Sequence, residues 1–275
     1  MLNQISFRDL HDALLAHDGE SVYAELLLPW LRTSGDQQTW LRSLGHREGA
    51  PVPLVSLEES WELYALSRVL DLLILGFQKP GPDAGWEGPQ ISMDEFLEFI
   101  AVLGLRSLTP ASFSPFHHEI VDARVSDKAS PVPEVISYRW PCVMLGNLLV
   151  LRGGIELEAN AKVLDPDLAR STTLYWAYRR KARPHRDLSH GWGSNSQWRT
   201  AFRRDYAIGN MQYFNVDGKY DLHAKGSELK EVLEACPELT LDERIELLTN
   251  RCFIRCVKPH DDLLPYDDRF QKIVI

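Results

Sequence analysis

The sequence predicts an α+β fold, a helical N-terminal region followed by a mostly antiparallel sheet with packed helices. Three observations carry this. The first hundred residues place apolar side chains at helical spacing behind Ser-x-x-Glu capping boxes. After Thr109-Pro110 the chain turns rich in β-branched and aromatic residues that partly alternate. Helix-like and strand-like segments then intermingle to the C-terminus. At 275 residues and 44% apolar composition the chain can bury a sizeable core, as a helical region 1–108 with a mixed region 109–275 or as one continuous domain.

Taken in order, Ser6 opens a helix that puts Phe7, Leu10 and Leu14 on one stripe. ESVYAELLLPWLR and QQTWLRSLG read as two short helices, with Pro29 kinking or ending the first. Ser56 and Glu59 form a capping box for a helix reaching about Phe77, and Ser92 and Glu95 repeat the device for a helix that Gly104 ends. Between these two helices, QKPGPDAGWEGPQ reads as an exposed loop. FHHEIVDARV, EVISYRW, CVMLGNLLVLR and GIELEA read as three or four strands. Asp165-Pro166 opens a helix running to about Arg180, and NSQWRTAFRRDY reads as another short helix. MQYFNVDGKYDL reads as a hairpin turning at Asp217-Gly218. SELKEVLEAC and the Thr240–Glu243 capping box mark helices, and CFIRCV a last strand.

Composition narrows the function classes. The longest apolar run, Leu70 to Phe77, is too short for a membrane span, and the N-terminus lacks the pattern of a secretory signal, so a soluble, cytoplasmic protein with no membrane partner is expected. Four cysteines at irregular spacing (Cys142, Cys236, Cys252, Cys256) do not make a disulfide framework. The net charge of −9 opposes binding of nucleic acid by the whole surface. Yet nine bases stand against one acid, Asp187, between Arg170 and Arg204, which leaves the remainder at −17. Such a division points to a local anion-binding face.

RPHRDLSHGWGSNSQWRTAFRRDY, from Arg183 to Tyr206, is the candidate face. Its turn around Gly193, Ser194 and Asn195 can aim backbone N–H groups at an anion ahead of a helix start. Arg183, Arg186, Arg199 and Arg203 offer fork-shaped donors for phosphate or carboxylate, and Trp192 or Trp198 a surface on which a base stacks. The expected ligand is a phosphate-bearing small molecule or nucleic acid. The competing structural account is a helix-capping loop with both tryptophans in the core and the arginines paired to the acidic body. No cofactor or phosphate-loop fingerprint is present, and the identity of any cofactor is left open.

FHHEIVD supplies a second cluster. Strict alternation puts His118 and Asp122 on one face of a strand with Phe116 and Ile120, and His117 and Glu119 on the other with Val121. Two ligands per face fall short of a zinc set, so no metal site is assigned. A histidine hydrogen-bonded within the sheet is the commoner outcome; an enzymatic alternative, a hydrolase or transferase, has His118, Glu119 and His190 as acid and base beside the anion site. A third alternative is a non-catalytic immunity-type or regulatory protein whose acidic surface engages a basic protein partner. The four aspartates of HDDLLPYDDRF read as an acidic surface tail.

Overall fold

The computed structural model of the protein describes residues 6–47, 52–79, 86–127, 132–171, 180–181, 198, 200–250 and 267–274. Several of its helices start where side-chain oxygens replace missing backbone acceptors. Ser6 with Asp9, Ser56 with Glu59 and Ser92 with Glu95 form reciprocal capping boxes at the heads of α1 (Phe7–Ala16), α4 (Leu57–Leu73) and α5 (Met93–Val102). A 3-10 turn, Leu75–Phe77, extends α4 to the expected end. Pro29 neither ends nor interrupts the helical run that contains it. The chain widens to a π-helical turn over Tyr23–Leu27, with the Leu28 N–H bonded to the Tyr23 carbonyl, and continues as α2 (Leu28–Thr33). That widening takes up the bond a proline cannot make. α3 (Gly35–Gly45) follows directly.

The strands make two sheets joined by one bent hairpin. The seven-stranded sheet has the order β1-β4-β5-β7-β8-β10-β9 and the three-stranded sheet the order β2-β6-β3. Their members are β1 (Arg106–Leu108), β2 (His118–Val125), β3 (Glu134–Trp140), β4 (Cys142–Leu145), β5 (Leu148–Leu151), β6 (Gly153–Ala159), β7 (Tyr206–Ile208), β8 (Met211–Phe214), β9 (Tyr220–Asp221) and β10 (Asp268–Ile273). β3 pairs antiparallel with β6 and β4 with β5, so Pro141 and Arg152 mark the level at which the hairpin passes from one sheet to the other. Its two-residue tip, Gly146-Asn147, holds Gly146 at φ +56, and the same glycine lies against the Gly45 carbonyl at the end of α3. Only a residue without a side chain fits both demands. Pairing is antiparallel except for β2 with β6 and β9 with β10.

β4 and β5 are buried on both faces, which explains their unbroken apolar run. Val143, Leu145, Leu148 and Val150 join the largest core cluster with Leu10, Leu27, Leu66, Leu70 and Phe99 from the N-terminal helices. Cys142, Met144 and Leu149 face the opposite way, toward Val232 of α7 (Ser227–Ala235) and Leu248 of α8 (Leu241–Asn250). A third cluster, Ile120, Ala123, Ile155, Leu157 and Leu164, lies under the three-stranded sheet beside α6 (Pro166–Ser171). No helix among the described residues is long and apolar enough to cross a membrane.

Three local expectations are revised. β2 carries a bulge between Ile120 and Asp122, so Ile120 and Ala123 share a core cluster while Asp122 turns to Lys79 on the other face; His118 and Asp122 are therefore on opposite sides. The hairpin at Asp217-Gly218 does not form, because β10 runs between β8 and β9 and its backbone packs where a Gly218 side chain would be. The tight turn lies earlier, at Gly209-Asn210 between β7 and β8, with Gly209 at φ +59. Residues 200–205 form no helix and lead without regular secondary structure into β7. The continuation of α6 past residue 171 and the CFIRCV strand lie outside the described residues.

The close approach of β6 to Trp140 gives a direct check on the packing. A side chain at Gly154 would meet the fully buried Trp140 ring at 2.4 Å, whereas one at Gly35 meets nothing within 4 Å. In urea unfolding, Gly154→Ala is expected to lose about 1–3 kcal/mol, with Gly35→Ala close to wild type. Equal stability of both variants would contradict this packing.

Candidate functional site

The basic stretch is fixed at its two ends by residues the sequence places far away. At the first end, the buried Arg180 donates from Nε to both oxygens of Glu119 on β2, at 2.9 and 3.0 Å, and from Nη1 to Asp71 on α4 at 2.8 Å. Its guanidinium also lies 5.5 Å from the Trp140 ring centroid. Burial alone would push the Arg180 pKa down, but Glu119 and Asp71 together hold it above its ordinary value. Asp71 is raised by burial, with Arg180 and the neighbouring Arg68 opposing. The Lys181 N–H donates to the Gln78 side chain at 2.7 Å, and its Nζ to the Glu87 carbonyl at 3.3 Å.

At the second end, Trp198 packs edge-on against His11 at 4.9 Å, with the Arg8 guanidinium 5.6 Å from its ring centroid. The Phe202 N–H donates to Ser60 Oγ at 2.9 Å. Arg203 donates to Asp205 at 3.0 Å and to the Leu248 carbonyl. Arg204 grips Asp217 through Nε and Nη2, at 2.7 and 2.6 Å, and reaches the Pro53 carbonyl. Asp205 is buried and also accepts from Arg152 and from the Asn215 N–H. Burial would raise it, yet Arg203 and Arg152 hold its pKa below the usual carboxylate value. Both ends thus touch α4, at Asp71 and Ser60, about 17 Å apart at the α-helical rise. Arg183, Arg186, His190, Trp192, Gly193, Ser194, Asn195 and Arg199 lie outside the described residues.

His118 and Glu119 open β2 and face opposite ways. His118 is fully buried; its Nδ1 accepts from the Ser114 N–H at 3.0 Å, and its Nε2 meets Tyr138 Oη at 2.6 Å, while the Tyr138 hydroxyl donates to the Pro110 carbonyl. These partners define a neutral ring with its proton on Nε2. Burial pushes its pKa down to about 4. Glu119 is the partner of Arg180. The arrangement ties the 110–118 turn to β3 and, through Arg180, ties β2 to α4. Cys142 is likewise enclosed, its thiol pushed up to about 12 by burial.

Sequence reasoning missed the acids that receive the arginines. Asp71 carries a readable signal, since Arg68 and Asp71 stand in the otherwise apolar RVLDLLIL and charges so placed need partners. Asp268 departs from the expected acidic surface tail: it is buried and takes a bidentate grip from Arg244. Asp217, a turn residue by its sequence context, pairs with Arg204. Comparison with protein-family models, with curated proteins and with solved structures finds no match for this chain.

The His118 shift has a defined sign. With a folded pKa of about 4 against an ordinary 6.5, the unfolded chain binds the extra proton between those values. The contribution is therefore complete above pH 6.5 and is lost as the pH falls toward 4. Urea midpoints measured at pH 7 and pH 5 are expected to differ more in wild type than in His118→Gln. An identical pH dependence in the two proteins would show that His118 is not held neutral.

Proposed function

We propose that the protein binds a phosphate-bearing ligand, a nucleotide or a nucleic-acid end, through the stretch from Arg183 to Arg199. The observation that supports the reading is that the described arginines flanking the 183–199 stretch are engaged within the fold. Arg180, Arg203 and Arg204 stand at the ends of the stretch and are bound to Glu119, Asp71, Asp205 and Asp217. They act as anchors. The ligand-facing role then falls to Arg183, Arg186 and Arg199, with the Gly193–Asn195 turn supplying backbone N–H groups. Arg203 contributes by position, and Trp192 by stacking. Trp198, packed against His11 at the edge of the main core, fixes where the stretch re-enters the fold.

Ligand contacts made by arginine to phosphate are charge-assisted and salt-sensitive. Affinity for pyrophosphate or a nucleoside triphosphate, measured by calorimetric titration, is expected to fall steeply with added salt. Arg199→Ala is expected to weaken it by about tenfold or more. Binding that ignores both changes, in a protein that remains folded, would overturn the reading.

A further inference from the structure

Where the long hairpin changes sheets, positive charge exceeds negative. Arg152, between β5 and β6, donates from Nε to the Pro115 carbonyl at 3.3 Å and from Nη2 to Asp205 Oδ2 at 2.8 Å. Asp205 Oδ1 is taken by Arg203 at 3.0 Å and by the Asn215 N–H at 2.7 Å. Two arginines thus stand on one buried carboxylate, and the three charges sum to +1. The Arg152 side chain is only 15% exposed, so water screens its charge weakly. Its Nη1 meets no acceptor among the described residues, yet it is not sealed from solvent.

The neighbour of Arg152 across the strands is His117. The Gly153 N–H donates to the His117 carbonyl at 2.8 Å, which sets the two residues side by side where β2 and β6 begin. His117 is half-buried, edge-on to Phe116 at 4.9 Å. Its Nδ1 lies 3.1 Å from Ser114 Oγ, and that hydroxyl has no other partner among the described residues. The hydroxyl therefore donates to Nδ1 and leaves the ring proton on Nε2. Nε2 also meets no acceptor among the described residues and is open to solvent. Burial and, after it, the Arg152 charge hold the ring below its ordinary pKa of 6.5, so at neutral pH it is an uncharged donor.

We propose that Arg152 and His117 form a binding site for a small oxyanion, the carboxylate or phosphate group of a ligand. Such an anion takes a charge-assisted bond from Arg152 Nη1 and a second bond from the Nε2–H of His117, and it balances the positive charge that Asp205 leaves over. A cationic ligand gains nothing here, since the excess charge is positive. Ser114 is a positioning residue that fixes the tautomer of His117. The site stands on residues outside the 183–199 stretch, so it neither needs nor supplies the phosphate reading made there.

The test follows the His117 ring by NMR in the full chain, its resonance assigned by its loss in His117→Gln. Acetate and inorganic phosphate are titrated separately against chloride at constant ionic strength, so that screening of Arg152 stays fixed. A bound anion favours the protonated ring, and the His117 pKa is expected to rise by about one unit along a saturating curve. The anion that saturates at the lower concentration identifies the ligand group as carboxylate or phosphate. Arg152→Lys keeps a charge beside Asp205 but loses the Nη1 donor, and its affinity is expected to fall by about tenfold. Arg199→Ala is expected to leave the His117 response unchanged. A ring that responds to acetate and phosphate no more than to chloride, or a response as strong in Arg152→Lys as in wild type, overturns the site. A response lost in Arg199→Ala also overturns it, because the anion then acts from the basic stretch. A His117 response that persists in a protein without pyrophosphate affinity supports this site and removes the other, so the two fail separately.

Discussion

The Arg180 guanidinium, held between Asp71 of α4 and Glu119 of β2 and lying against Trp140 of β3, is the contact on which the rest of the arrangement depends. It brings a helix of the N-terminal region and two strands of the small sheet to one buried point. Burying four charges, with Arg68 beside Asp71, is costly unless each is met by a partner of opposite sign and good geometry. Here the geometry is met, and the price of desolvation becomes a demand for one specific docking of helix on sheet. Apolar packing alone is less selective.

From that point a line of polar contacts runs through the fold. Trp140 Nε1 donates to the Arg152 carbonyl at the level where the long hairpin changes sheets. The Arg152 side chain reaches Asp205, which also receives Arg203 and the Asn215 N–H. Asn215, at φ +49, passes the connection to the Asp268 carbonyl, and the Asp268 side chain is gripped by Arg244 of α8. Each member fixes a loop or strand end that apolar burial leaves free. Arg180 and Arg203, the described arginines on either side of the basic stretch, are both members of this line.

Much of this could be read in the chain and some could not, for identifiable reasons. Capping boxes at Ser56 and Ser92 are local, and helices α4 and α5 start where those residues stand. The apolar run of β4 and β5 hid a turn at Gly146-Asn147 because both strands are buried on both faces, which removes alternation as a guide. The bulge at Val121 reversed the facing of Asp122, a change that no periodic pattern records. At Asp217-Gly218 the turn signal was real but its partner strand came from residues fifty positions later, so the hairpin lost to a longer-range pairing. The arginines of the basic stretch were visible by count; the carboxylates that receive Arg180, Arg203 and Arg204 were not, since Asp71 and Glu119 lie far off in sequence and only the fold brings them close.

The central claim is that Arg180 is a buried junction whose two carboxylates depend on it. Urea unfolding of Arg180→Met compared with the triple variant Arg180→Met, Asp71→Asn, Glu119→Gln tests it most directly. The single substitution leaves two buried acids uncompensated and is expected to cost about 3–5 kcal/mol, with the triple variant recovering a large part of that loss. A single variant as stable as wild type, or a triple variant no better than the single, would contradict the junction.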